Sequence, residues 1–318
     1  MNFEIEIFDD RLVSVVQGAT RTRLCTGAKW SEGPVWIWQD ESVLWSDIPN
    51  NRMLRWSKAD GMTVWRESVE FVNGHTLDNN GDLLHCSHGL RAIVRTPLVG
   101  GLLQASTADD MVVNSYQNKR FNSPNDLVVK RDGTIWFTDP PYGILSNHEG
   151  HKAPAEQAAN HVFCFDPKTK SISAVSNWLE EPNGLAFSPD ERLLYVSDTS
   201  AALALPGRGN HHIVVFDVLA DNQIENPRIF AEIQPGLSDG FRIDTQGWVY
   251  TSSEDSVQIY HNDGVLLGKI HLPEKVGNLC FGGQDGNQLF VTASTSLYHI
   301  EFRYSHLFNV IHSARRPA

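Results

Sequence analysis

An all-β ring of repeated four-stranded units is the fold this sequence predicts, and three observations carry it. An acidic or amide residue recurs six times, at Glu32, Asn73, Asn125, Asn183, Asp239 and Asn278. Seven positions after each stands a turn signal: Gln39-Asp40, Asn80-Gly81, Asp132-Gly133, Asp190-Glu191, Gln246-Gly247 and Asp285-Gly286. The runs flanking each turn are β-branched and aromatic, and too short for helices. The offset is constant while the starts lie 39 to 58 residues apart, which marks a repeat carrying insertions.

Each unit follows one grammar. The polar start opens a first strand, such as Gly184-Leu185-Ala186-Phe187. A second strand follows the turn, as in Val43-Leu44-Trp45-Ser46, Ile135-Trp136-Phe137-Thr138 and Leu194-Tyr195-Val196-Ser197. The third is RMLRW (52–56), RAIVR (91–95), HVFCF (161–165), HIVVF (212–216), VQIY (257–260) or LYHI (297–300). A fourth shows in some units, as at Met62 to Arg66 and Val265 to Ile270. Three or four antiparallel strands per unit and six units predict a six-bladed β-propeller with four-stranded antiparallel blades. No run has the 3.6-residue period of a long helix.

The blades account for residues from about 30 to 300 of one expected domain, 1–318. Phe3 to Ile7 alternates like a strand, and so does the tail at 301–312. One or both termini are expected to complete the last blade and close the ring, which removes exposed edges. In a propeller the first strand of each blade lines the central channel, so the six polar starts converge at one mouth. Two long loops, 139–160 and 199–211, open on that face and are candidates for a cover over a site.

Composition narrows the function. The net charge is −12, which argues against a nucleic-acid partner. No apolar stretch approaches the ~18 residues needed to span a membrane. The N-terminus lacks the basic and apolar regions of a signal peptide, so a soluble, cytoplasmic protein is expected. The four cysteines are widely spaced without a Cys-x-x-Cys pair and read as reduced and structural. The thirteen histidines show no metal-ligand spacing, and neither a Gly-x-Ser-x-Gly elbow nor a phosphate-cradling glycine loop is present.

The ring carries the chemistry. Glu32, Asn125, Asn183 and Asp239 offer two carboxylates and two amide carbonyls, a set suited to a hard divalent cation, Ca²⁺ first and then Mg²⁺ or Mn²⁺. Each Asn or Asp alone reads equally as a turn former. Glu32 does not, and six polar starts converging on an axis need a partner. On the same face, His88, Arg120 and Asn122 are candidate substrate contacts, while Asp47, Asp139 and Asp198 read as caps of the turns that follow them.

SEGPVW (31–36), SPNDLVV (123–129), EPNGLAFSPD (181–190) and SDGFRID (238–244) resemble the senescence marker protein/gluconolactonase family of six-bladed propellers. SDIPNNRMLRW (46–56), WFTDPPYGI (136–144) and LYVSDTS (194–200) are similar as well, so the resemblance covers nearly the whole chain. It implies that Glu32, Asn125, Asn183 and Asp239 form a single divalent-metal site. It also implies hydrolysis of a small-molecule lactone, typically of a sugar acid. For that reaction we expect Asp239 as general base, or as ligand only beside a metal-bound hydroxide, and some of Asn73, His88, Arg120, Asn122 and Tyr142 as contacts for the substrate hydroxyls. Ser87 stands where relatives carry an acidic residue, which bears on substrate preference. Two other readings stay open: a phosphotriesterase-like hydrolase with Asp239 as nucleophile, and a non-enzymatic binding scaffold.

Overall fold

A computed structural model describes residues 4–303. Six antiparallel sheets stand in a ring. Blade I comprises Ser31–Ile37, Ser42–Asp47, Arg52–Ser57 and Gly61–Glu67; blade II comprises Val72–Leu77, Leu83–Ser87, Ala92–Thr96 and Asp110–Val113. Blade III is Leu127–Val129, Ile135–Asp139, His161–Asp166 and Ser171–Ser176; blade IV is Pro182–Phe187, Leu193–Asp198, His212–Val218 and Ile224–Glu232. Blade V runs from Phe241–Ile243 through Val249–Thr251 and Ser256–Tyr260 to Leu266–His271, and Ile5–Ile7 adds a fifth strand at its outer edge. Blade VI has Val276–Gly282, Gln288–Ala293 and Ser296–Glu301, and its outer strand is Thr20–Thr26.

The ring is thus closed by residues 20–26, which pair with Ser296–Glu301 from Thr20 opposite Glu301 to Thr26 opposite Ser296. Of the segment expected to close it at the N-terminus, 3–7, Ile5–Ile7 instead extends blade V, and residue 3 lies outside the described residues. Polar alternation in TRTRLCT hides a strand whose outer face meets water, so the sequence signal there is weak. Of the expected C-terminal strand, Glu301 ends the third strand of blade VI; residues 304–312 lie outside the described residues.

The strand alternation explains the packing. In Ser42–Asp47, Val43 and Trp45 face blade VI, packing with Cys280, Phe290 and Leu297. Leu44, between them, faces blade II with Leu77 and Leu83. The same two-residue alternation puts Trp136 against blade IV and Phe137 against blade II. Six apolar clusters result, each between two neighbouring blades. The ring is therefore held by six equivalent wedges rather than one core. In five of the six turns the second residue takes left-handed backbone, at Gly81, Gly133, Glu191, Gly247 and Gly286; in blade I it is Glu41, one residue past Gln39-Asp40. Helix is confined to short pieces, of which Tyr142–Leu145 matters for the site. The cysteines are free thiols, three buried and Cys25 half-buried.

Candidate functional site

Close approach at the axis builds the mouth of the channel. In four of the six units glycine follows the polar start: Gly33, Gly74, Gly184 and Gly240. A Cβ at Gly74 would sit 2.6 Å from the Asn125 carbonyl oxygen, and one at Gly184 2.5 Å from that of Asp239. Those contacts are backbone hydrogen bonds between blades: Gly74 N–H to Asn125 O and Gly184 N–H to Asp239 O, both 2.9 Å. Hydroxyls on the second strands hold ring-residue carbonyls of the next blade. Ser46 donates to Asn73 O at 2.8 Å, Thr138 to Asn183 O at 2.7 Å and Ser197 to Asp239 O at 3.1 Å. With the backbones of Asn73, Asn125, Asn183 and Asp239 pinned by a neighbouring blade, their side chains are left to point along the channel. Register slips by one residue beside Glu32, Asn73 and Asn183, a bulge that re-aims the side chain.

The aspartates that end the second strands work on the same framework. Asp47 accepts from the Lys29 N–H at 2.9 Å, Asp139 from the Asn122 N–H at 2.8 Å and Asp198 from the Glu180 N–H at 2.8 Å. They reach back to pin the backbone entering the first strand of their own blade. Asp198 also accepts from the Ser200 N–H at 3.0 Å, the turn-capping bond expected from sequence.

A cavity of about 210 Å³ lies at this mouth. Glu32, Asn125, Asn183 and Asp239 line it together, with Asn73, His88 and Tyr142. Trp30, Ile48, Glu149, Thr199, Leu237 and Lys275 complete most of its wall. Both long loops contribute, the first through Tyr142 and Glu149 and the second through Thr199 and Ala202. The first is tied down by Glu149 O to His88 Nδ1 at 2.8 Å, His151 to Glu70 at 3.0 Å and Glu156 to Arg91 at 3.3 Å. The Tyr142 hydroxyl meets Thr199 Oγ1 at 2.6 Å and so links the two loops.

Arg120 and Asn122 are not among the lining residues. Arg120 sits exposed on a small hairpin formed by Ser115–Tyr116 and Lys119–Arg120, and its Nη2 donates to Leu90 O at 3.0 Å. Asn122 is buried, its amide nitrogen donating to Asn160 Oδ1 at 3.0 Å and Asp139 O at 3.3 Å. Asn278, the sixth polar start, is also off the wall. Its Oδ1 accepts from the Leu279 N–H at 2.8 Å, and only a glycine at position 240 leaves room for its amide. Sequence reading missed Glu149, Thr199 and Lys275. No motif marks them, because loop residues reach the cavity only through tertiary placement.

The electrostatics are unbalanced. Glu32 is 3% exposed; its Oε2 accepts from the Gly33 N–H at 3.0 Å while its Oε1 has no hydrogen-bond partner. Gly277 lies against that oxygen, where a Cβ would come within 2.4 Å. Burial, and then the charge of Asp239, push the Glu32 carboxyl well above its ordinary range. Burial pushes Asp239 up to about 7; Lys275 opposes this and Glu149 reinforces it. Burial pushes Glu149 up too. Three carboxyls thus face a single Lys275 among the lining residues. A buried and a half-buried carboxylate crowded together, the first with an orphan oxygen, form a site that calls for positive charge.

The fold is a six-bladed propeller, and its axial mouth is a carboxylate-amide cavity covered by two loops. The chain belongs to the SMP-30/gluconolactonase/LRE-like family, whose model matches residues 30–295. It is 31% identical to a gluconolactonase of Zymomonas mobilis over 93% of this chain and 85% of that protein. A pentonolactonase of Haloferax volcanii is 24% identical over 85% of this chain and 83% of its own. Among solved structures, a gluconolactonase from Xanthomonas campestris superposes with a TM-score of 0.85 at 36% identity, covering 94% of each chain.

Proposed function

We propose that this protein is a lactonase that opens sugar-acid lactones with the help of a divalent cation, Ca²⁺ first among candidates. The observation that carries the reading is the Glu32–Asp239 pair, set in one cavity with Asn125 and Asn183 and balanced by Lys275 alone among the lining residues. The names of the gluconolactonase and pentonolactonase relatives support the reaction class.

The donor set fits a hard cation. Glu32, Asn125, Asn183 and Asp239 would hold it through oxygen, and the orphan Glu32 Oε1 would gain its missing partner. Zinc is disfavoured, since no lining residue is Cys and both nitrogens of His88 are already engaged. A bound cation would supply Lewis-acid stabilisation to the charge that grows on the lactone carbonyl oxygen.

The chain's own residues do the rest. Asp239, half-buried beside the buried Glu32, takes the proton of the attacking water. The water oxygen joins the carbonyl carbon, the ring C–O bond breaks, and Asp239 returns its proton to the released alkoxide, giving the hydroxy acid and restoring the carboxylate. Asn73, Tyr142 and His88 form the wall against which the sugar hydroxyls orient. The two linked loops exclude bulk water from the reacting carbonyl.

The test combines metal analysis with aldonolactone hydrolysis scored above the spontaneous rate. Chelation should abolish the enhancement and Ca²⁺ should restore it. Glu32→Gln and Asp239→Asn should each lower kcat/KM about 100-fold or more. Full activity in chelator, or in either variant, would overturn the assignment. Single turnover in ¹⁸O-water decides the role of Asp239, because label entering its carboxyl first makes it a nucleophile instead of a base.

A further inference from the structure

His88 is 1% exposed at the end of the second strand of blade II, and its ring is caged rather than free. Gly143 of the covering loop packs directly on it; a Cβ there would lie 2.5 Å from the His88 Cβ and 2.8 Å from that of Ser123. The Gly150 region is equally tight, with the Gly143 carbonyl where a Cβ would be. Two polar contacts complete the cage. Nδ1 lies 2.8 Å from Glu149 O, and Nε2 lies 3.3 Å from the Asn73 amide.

The chemistry of those two contacts has one solution. A backbone carbonyl can only accept, so Nδ1 carries the hydrogen. Burial pushes the imidazole down to about 4, so the ring is neutral at pH 7 and Nε2 is bare. A bare ring nitrogen can only accept, so Asn73 must donate to it through Nδ2. The other end of the amide, Oδ1, is then left to the cavity that Asn73 lines. The opposite wall repeats the logic. Asn183 Nδ2 donates to Thr199 Oγ1 at 3.2 Å, and this turns Asn183 Oδ1 the other way.

We propose that His88 is a positioning residue, locked as the Nδ1–H tautomer by the covering loop, that turns the Asn73 carbonyl into the cavity as a fixed acceptor. With Glu32, Glu149 and Asp239 lining the same cavity, the acceptor at Asn73 makes it a place for hydrogen-bond donors. The ligand group that fits opposite Asn73 is a hydroxyl, and a group offering only acceptors is turned away. The loop and the substrate wall are coupled through one ring, since moving Glu149 removes the bond that sets the tautomer. The part of this that concerns substrate rests on the lactonase reading; the tautomer does not.

Two measurements test it. Nitrogen-15 spectra of the imidazole in the intact protein read the tautomer directly. A protonated Nδ1 and a bare Nε2 at His88 from pH 6 to 8 are expected; Nε2–H or an imidazolium at pH 7 overturns the proposal, whatever the enzyme's substrate. The kinetic arm compares His88→Gln, whose Oε1 can replace the accepting Nε2, with His88→Phe, which keeps the ring and loses both nitrogens. KM for a hydroxylated lactone should rise about tenfold in His88→Phe, as for a lost buried partner, and recover in His88→Gln. Its preference over the corresponding deoxy-lactone should shrink by a similar factor while kcat changes little. Equal loss in both variants, or a fall in kcat at unchanged KM, overturns the positioning role. If His88→Phe does not fold, the spectra of the wild-type protein still decide.

Discussion

A single buried oxygen, Glu32 Oε1, is the most informative atom in the molecule. It is a hydrogen-bond acceptor with no donor, in a carboxylate pushed toward protonation by burial and by Asp239. The folded chain therefore tolerates the pair at a cost, and that cost is measurable without activity. Asp239 in the chelated protein has its acid at about 7, above the roughly 4 of an unfolded aspartate. Between those values the folded state holds more protons than the unfolded one, so this residue's contribution to stability falls as pH rises through 7. In chelator at pH 8, Asp239→Asn should melt a few degrees above wild type. The advantage should fade as pH drops from 8 toward 5, and saturating Ca²⁺ should reverse the order. A variant that melts lower than wild type in chelator at pH 8 would refute the charge-crowding account. Thr199 makes a second case at this scale. It orients the Asn183 amide, so Thr199→Val should weaken Ca²⁺ binding about tenfold by calorimetry while Thr199→Ser keeps it.

At the scale of elements, the inner strands work as pairs across blade boundaries. Glycine after the polar start is a requirement of approach, because neighbouring backbones meet there: Gly184 has no left-handed φ, yet a Cβ would strike the Asp239 carbonyl. Gly184→Ala should lower stability by about 1–3 kcal/mol in denaturant titration, as overpacking does, and should weaken Ca²⁺ binding with it. An alanine tolerated with unchanged binding would show that the inner strands can part without disturbing the site. This polar-glycine step was visible in the chain as Glu32-Gly33, Asn73-Gly74, Asn183-Gly184 and Asp239-Gly240. It was legible as a repeat, while its purpose was not, since the partner of each glycine is 38 to 55 residues away in the next blade. The strands themselves were easily read, because an apolar alternation of period two states which faces are buried. Thr20–Thr26 escaped because its outward face is polar and no turn signal introduces it. Arg120 and Asn122 show the limit of proximity in sequence: each is within five residues of Asn125, yet the hairpin and the Asn160 contact hold them off the cavity wall.

For the whole molecule, closure is the feature that matters. Six inter-blade wedges share the load, and the strand at residues 20–26 supplies the last edge. The two N-terminal strands should therefore separate in a deletion test. Removal through residue 9 takes only the fifth strand of blade V and should leave cooperative unfolding intact. Removal through residue 26 exposes the edge of blade VI and should give aggregation or a broad, early transition. Similar melting of the two truncations would show that the ring does not depend on this closure. No helix among the described residues is long and apolar enough to cross a membrane.

The sequence by itself determined the six-fold repeat, the propeller and the four ring oxygens at Glu32, Asn125, Asn183 and Asp239, because local strand and turn chemistry recurs at a fixed offset. Only the tertiary structure decided what surrounds them. It placed Glu149, Thr199 and Lys275 on the cavity wall, left Asn278 off it, and set the Asn73 amide nitrogen against the His88 ring. The physical reason is that these outcomes depend on contacts between blades and loops far apart in the chain, where burial, the direction of a single hydrogen bond and the space beside a glycine settle the chemistry.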